Sequence, residues 1–222
     1  MALMTTHQAA DRLGVSVRHV QRLVSGGELV AVGPDRIDAN SVAQWAALGA
    51  GRRVRAWEEP TAWAAVALLE SGEAPWLGQA QRSRLRSALA GTTAAELAAR
   101  TRNRAQVQRY HAHPRALGRL SRDVVPSGAT EGVAGLSAAA DRVDGYVASD
   151  ALARLEQRYR LDTDPAGTVT LRSTGMPMDV VATLAEGRRH VLAGLDLAGS
   201  TDPRERATGQ RLLDRAVERL RG

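Results

Sequence analysis

The sequence predicts an α+β fold that is mainly helical, and three observations lead to this class. Near the N-terminus, two short amphipathic segments meet at a glycine and are followed by two short strand-like segments. The middle of the chain consists of arginine-rich helical segments. In the last third, short strand-like and helical segments alternate, which is typical of a small α/β domain.

The composition excludes several kinds of chemistry. The 222 residues include 30 basic and 24 acidic side chains, for a net charge of +6, and every basic one is arginine. Because cysteine is absent, disulfides, thiolate metal sites and cysteine nucleophiles are excluded. Because lysine is absent, a Walker A phosphate loop and a lysine Schiff base are excluded too. We predict neither a cofactor nor a bound metal.

Charge and linker residues predict three blocks. Gly49–Gly51 and Pro126–Gly128 mark boundaries, so we predict domains at 1–50, 51–128 and 129–222. The first block is neutral, residues 51–122 carry 13 arginines against 5 acidic residues, and the remainder is slightly acidic. No apolar run approaches the roughly 18 residues of a membrane span, and no leader pattern opens the chain. We therefore expect a cytoplasmic protein with no membrane partner.

The first block predicts a helix-turn-helix. Thr6 is suited to cap a helix over His7–Leu13, and Gly14 is suited to end it in the left-handed conformation. Ser16 then caps a second helix over Val17–Ser25, whose valines share one face. A helix pair joined by such a tight turn is the helix-turn-helix motif.

Two short strands after the second helix predict a β-wing. Leu29–Val32 and Arg36–Asp38 are the strands, and the turn between them contains Gly, Pro and Asp. Asn40 or Ser41 is expected to cap a third helix. The whole block is therefore predicted to be a winged helix-turn-helix domain, followed by the helical middle segment and the small α/β C-terminal domain.

The second helix of this motif enters the DNA major groove. Arginine can donate two hydrogen bonds to guanine and glutamine can pair with adenine, whereas arginines near the wing contact phosphates. A small helical domain used for protein contacts is the structural alternative. The predicted DNA-binding residues are Arg18, His19, Gln21 and Arg22 on the second helix, Arg36 on the wing, and Arg52, Arg53 and Arg55 after it.

The first block resembles the winged helix-turn-helix domains of excisionases and MerR-like regulators. The resemblance covers about 48 residues and rests on TTHQAADRLGVSVRHVQRLVSGGEL, the wing, and DANSVAQWAAL. It implies binding to double-stranded DNA. The sequence departs from this family at the wing, because GPDRID contains one basic residue and wings of the family are usually basic.

The middle block predicts helices at Thr61–Glu70 and Gly78–Leu89, a third helix capped by Thr93, and a further helix at Pro114–Leu120. The segment QVQRYHA predicts a strand that includes Val107–His111. His111 and His113 would then point the same way, but two histidines without a third ligand are weak evidence for a metal site.

The last block predicts a short strand at Tyr146–Val147 and a helix that Ser149 or Asp150 caps and Tyr159 ends. We expect a β-hairpin over Leu161–Arg172 and another strand at Met178–Leu184. Two helices follow. They are predicted at Val191–Leu197 and from the Asp202 cap to Leu220, with Pro203 at the first helical position.

Residues 100–222 resemble the C-terminal part of AbiEi-type antitoxins of type IV toxin–antitoxin systems. The resemblance rests on VVPSGA, DGYVASDALARLEQRYRL, GTVTLR and LAGLDLAGSTDPRERATGQRLL. It implies an antitoxin that binds the promoter of its own operon as a repressor and antagonises a nucleotidyltransferase-type toxin. A homodimer on paired half-sites would fit this role, and so would two DNA-binding domains on one chain.

Two other function classes have weaker support in the sequence. No nucleophile–base arrangement or phosphate loop is present, so we predict that the protein is not an enzyme. Asp141 and Asp144 could bind a metal but are more typical of an exposed helix end. The main alternative is a DNA-binding transcriptional regulator that responds to a small molecule. Its pocket could involve Trp57, Trp63 and Trp76, although these residues are expected to build the core.

Overall fold

A computed structural model describes residues 3–25, 28–47, 54–127, 141–200 and 202–221. It confirms the α+β, mainly helical class. The helices are α1 (Thr6–Leu13), α2 (Val17–Ser25), α3 (Ala39–Ala47), α4 (Glu59–Glu70), α5 (Gln79–Ala90), α6 (Ala94–Arg100), α7 (Pro114–Leu120), α8 (Leu152–Tyr159), α9 (Met178–Ala185), α10 (Val191–Ala198) and α11 (Pro203–Arg221), with a short 3₁₀ helix at Arg102–Arg104. The strands are β1 (Leu3–Met4), β2 (Ala31–Gly33), β3 (Arg36–Asp38), β4 (Gln106–His111), β5 (Val125–Pro126), β6 (Val143–Ala148), β7 (Asp162–Thr163) and β8 (Val169–Thr174).

The N-terminal helices form the predicted motif, and β1, β3 and β2 make a small antiparallel sheet beside them. The α1 cap is Thr5 rather than Thr6, because Thr5 and Gln8 exchange the two hydrogen bonds of a capping box. Gly14 ends α1 with φ 64°, as predicted. The α3 cap is Asp38, one position before the helix, rather than Asn40 or Ser41, whose amides donate to it.

A second sheet has the strand order β5-β6-β8-β4-β7. Strands β6 and β8 are parallel, and the other neighbouring pairs are antiparallel. The predicted hairpin over Leu161–Arg172 is wrong, because β4 lies between β7 and β8 and pairs with both. The chain crosses β4 closely at Gly167, where an added Cβ would come within 2.0 Å of the Tyr110 carbonyl oxygen.

Three local predictions in the C-terminal half also fail for identifiable reasons. Met178–Leu184 is helical rather than a strand, and its buried residues Val181 and Leu184 have the spacing of a helix face. The α8 cap is Ala151, which follows the predicted Ser149 and Asp150 and makes no side-chain cap. Asp144 lies within β6 instead of at a helix end.

The largest hydrophobic core combines helices from both sides of residue 128. It contains residues of α4, α5 and α6 together with residues of β6 and of α9, α10 and α11. A second cluster lies between the sheet and helices α7 and α8, and a third belongs to the N-terminal helices and wing. Residue 128 itself is outside the described residues, and the division into 1–50, 51–128 and 129–222 stays a prediction.

A buried network of charged groups joins the 3₁₀ helix, the sheet and α10. Asp196 accepts hydrogen bonds from Arg104 (2.7 Å) and from the hydroxyl of Tyr146 (2.6 Å), and Arg172 lies 3.5 Å from the same oxygen. Arg172 also binds both oxygens of Asp144, at 2.9 and 2.8 Å. Burial lowers the pKa of Arg172, but the carboxylates of Asp144 and Asp196 raise it well above its ordinary value. Both arginines therefore stay charged inside the fold.

Candidate nucleic-acid interface

Helix α2 is positioned by its own cap and by its apolar face. The Ser16 hydroxyl accepts from the His19 amide at 3.2 Å, which confirms the predicted cap. Val20 and Leu23 are buried against α1 and the wing, and Val17 and Val24 pack at the edge of this core. Because a helix repeats every 3.6 residues, these contacts turn the opposite face of α2 to solvent.

The exposed face of α2 carries three of the predicted side chains, Arg18, Gln21 and Arg22. They lie at i, i+3 and i+4, so they form one strip along the helix. Arg18 has neither a hydrogen-bond nor an ion-pair partner among the described residues, and its guanidinium is available to a ligand. Arginine and glutamine are the side chains that read guanine and adenine in the major groove.

His19 lies at the side of this strip and is only half-exposed. Its ring is 6.0 Å from the ring of Trp45 on α3, in an edge-to-face arrangement. The guanidinium of Arg22 donates to His19 Nδ1 at 2.5 Å. The indole N–H of Trp45 donates in turn to Glu28 at 3.1 Å. These contacts hold His19 and orient Arg22.

The wing explains how a neutral domain can present a basic face. Asp35, at the wing turn, accepts a hydrogen bond from the Thr6 amide at the start of α1, at 2.8 Å. Hydrogen bonds from Thr6, first its hydroxyl and then its amide, lower the pKa of Asp35 below the ordinary value. Asp38 is buried and caps α3. Arg36 is exposed between them. Both wing carboxylates therefore bind helix N-termini, where negative charge is favourable.

The remaining predicted phosphate contacts are only partly described. Arg52 and Arg53 lie outside the described residues. Arg55 is exposed, just before α4. All eight predicted site residues stay predictions, although the structure brings Arg18, Gln21 and Arg22 together on one face of α2.

The comparisons with known proteins bear on this domain. Residues 3–47 match a family model described as a helix-turn-helix domain. The N-terminal domain is a helix-turn-helix of the DNA-binding kind. The match covers helices α1, α2 and α3 and the wing, and it ends at residue 47. Neither the curated proteins nor the solved structures gave a match.

The other candidate residues, His113 and Trp63, contact the fold itself. His113 lies beyond the strand, contrary to the prediction, and its Nδ1 accepts from the Arg115 amide at the start of α7. Within the described ranges, no three metal-ligating side chains of the His, Cys, Asp and Glu types cluster together. Trp63 is fully buried and donates to Thr174 at 2.9 Å, as expected of a core residue. No helix in the described part is long and apolar enough to cross a membrane.

Sequence reasoning did not identify a groove on the C-terminal half. It has a volume of about 710 Å³ and is bordered by Arg122, Arg154 and Arg158. The sequence contained one signal for it. Arg154 and Arg158 are one turn apart on α8, which places their guanidinium groups on the same side of the helix.

Proposed function

We propose that this protein is a non-catalytic antitoxin that represses its own operon. Its winged domain binds promoter DNA, and its C-terminal half neutralises a nucleotidyltransferase-type toxin. The observation that carries the DNA-binding part is the exposed strip of Arg18, Gln21 and Arg22 on α2, within a helix-turn-helix domain.

The strip supports base-specific binding, because arginine and glutamine discriminate guanine and adenine through paired hydrogen bonds. Arg36 is exposed on the wing, and a contact from it to a phosphate beside the groove would add to the affinity. The two wing carboxylates are already bound by backbone amides, so they repel phosphates less than free carboxylates would. A neutral domain gains little from counterion release, and we infer that arginines after the wing supply the additional attraction.

The antitoxin part is supported by the resemblance in residues 100–222. The most specific segment of that resemblance, LAGLDLAGSTDPRERATGQRLL, contains all of α10 except its first residue and the first half of α11. These helices pack so closely at Gly209 that an added Cβ would come within 2.3 Å of the Ala198 amide nitrogen. The segment also contains Asp196, which holds the buried charge network. A role as a rigid unit that presents a surface to a partner is consistent with this packing.

The DNA-binding part is tested with the full chain and the duplex upstream of its own gene. We expect sequence-specific binding in fluorescence anisotropy, at least about a thousandfold tighter than to a shuffled duplex of the same length. Equal affinity for both duplexes at physiological salt would show that the α2 strip does not read bases.

The antitoxin part is tested separately, by expressing the adjacent open reading frame with and without this chain and measuring growth. We expect arrest by the neighbour alone and recovery when this chain is present. A version that lacks residues 1–47 should still restore growth if neutralisation belongs to the C-terminal half. A harmless neighbour would overturn the antitoxin assignment and leave the DNA-binding domain unaffected.

A further inference from the structure

The groove on the C-terminal half lies at the end of strand β6. Val147 and Ala148 at the end of that strand form one wall, and Leu155 of α8 and Met178 of α9 form others. The volume of about 710 Å³ falls within the range of roughly 300–1,000 Å³ that small-molecule sites occupy.

The position of the groove fits a general rule for sheets with parallel strands. Strands β6 and β8 are parallel, and the connection between them runs through α8 and the short edge strand β7. On the other side, β6 pairs with β5 in the antiparallel sense. Ligands of such sheets bind outside the carboxyl end of a strand, where the chain leaves the sheet in different directions. The groove occupies this place relative to β6.

The rim of the groove is positively charged. Arg158 forms an ion pair with Asp123 at 3.0 Å, and Asp123 also accepts from the Tyr159 hydroxyl at 2.6 Å. The side chains of Arg122 and Arg154 are exposed and have no ion-pair or hydrogen-bond partner within the described residues. Two guanidiniums on one rim are therefore available to an anion.

The walls and the rim together define the ligand. Guanidinium groups bind phosphate through paired, charge-assisted hydrogen bonds. A bare inorganic phosphate would fill a small part of the groove and would leave the half-buried side chain of Met178 uncovered. A phosphate attached to an apolar or flat organic body would fill more of the groove and cover that side chain.

We propose that the groove between β6, α8 and α9 binds a small organic phosphate of about nucleotide size, through Arg122 and Arg154. This site is separate from the α2 strip, and the proposal does not depend on the antitoxin function. It would give the protein a second ligand besides DNA.

The test compares the unaltered full chain with Arg122→Ala/Arg154→Ala. A panel of nucleoside mono-, di- and triphosphates and sugar phosphates is first screened by thermal shift, and compounds that raise the Tm are titrated by calorimetry. We expect at least one to bind, and the double variant to bind it about ten- to a hundredfold more weakly. The matching nucleoside or sugar without phosphate should bind more weakly than the phosphorylated compound.

The matched control is Arg215→Ala/Arg219→Ala on α11. It removes the same charge from exposed arginines that do not border the groove. We expect this control to bind the phosphate as the unaltered chain does. An equal loss in both double variants would show a general charge effect and overturn the site, as would a panel in which no compound binds. Binding of tripolyphosphate as tight as that of the organic compound would overturn the role of the apolar walls.

Discussion

The exposed arginines of the winged domain and the buried arginines that follow it in the chain have opposite environments. Arg18 and Arg36 are exposed and have no carboxylate partner in the part of the chain that the structure describes. Arg104 and Arg172 are buried and bind Asp196 and Asp144. The net charge of a segment therefore does not show how many arginines can reach a phosphate. Arg104 belongs to the most basic segment of the chain, yet it is part of the core.

The largest expected effect comes from breaking the buried network at Asp196. Asp196→Ala removes the carboxylate that binds Arg104, Tyr146 and Arg172 and leaves buried positive charge uncompensated. We expect a loss of about 3–5 kcal/mol in the free energy of unfolding, measured by urea denaturation.

An exposed ion pair provides the comparison for the buried network. Arg158→Ala breaks the ion pair with Asp123, in which the Arg158 side chain is 66% exposed. Solvent screens such a pair, so the expected loss is about 1 kcal/mol or less. Equal losses for Asp196→Ala and Arg158→Ala would show that burial does not distinguish the two classes of arginine.

The next largest effect tests the exposed class directly. Arg22→Ala removes a side chain from the α2 strip, and we expect specific DNA binding to weaken by about 1–3 kcal/mol. Anisotropy with the specific and a shuffled duplex measures the difference. Affinity for the shuffled duplex should change much less, because non-specific binding depends on the total charge of the protein rather than on a base contact by one side chain. Unchanged affinity for the specific duplex would show that α2 is not the recognition helix.

The winged domain could be predicted further than the rest because its signals are local. The Gly14 turn, the Ser16 cap and the apolar spacing of α2 each lie within a few residues. The hairpin over Leu161–Arg172 failed because β4, about 50 residues earlier, pairs between its two strands. No local pattern indicates such a long-range insertion. The chain does turn at Pro165–Gly167, where the Gly167 amide donates to the Asp164 carbonyl, but this turn connects strands that are not neighbours in the sheet.

The same limit applies to the charged residues. The spacing of Asp141 and Asp144 indicated an exposed helix end, whereas the partner of Asp144 is Arg172, 28 residues further along the chain. Similarly, the rim of the groove combines Arg122 after α7 with Arg154 on α8. A sequence shows which charges exist, and only the fold shows which of them meet.

A smaller effect is expected from Arg52 and Arg53, which follow the winged domain. If they contact phosphates, Arg52→Ala/Arg53→Ala should weaken binding to all duplexes alike. The slope of log K against log salt should become less steep by about two units, close to one per phosphate contact. Titrations at several salt concentrations measure this slope, with Arg215→Ala/Arg219→Ala as the charge-matched control. A slope that changes equally in the control would assign the effect to net charge.

The smallest expected effect concerns Asp35, which joins the wing to α1. Its pKa is lower in the folded protein, so it contributes stability that is fully present above the unfolded value of about 3.9 and is lost as the pH falls through the folded value. Asp35→Asn removes the charge and suits the left-handed backbone at φ 53°.

Amide hydrogen exchange in α1 should therefore be faster in Asp35→Asn than in the unaltered chain near neutral pH, and this difference should shrink in acid. Asp11→Asn, an exposed carboxylate of α1, makes the same charge change without touching the wing. A difference that persists in acid would mean that Asp35 holds the wing by shape and hydrogen bonding alone, and that its negative charge adds nothing at the start of α1.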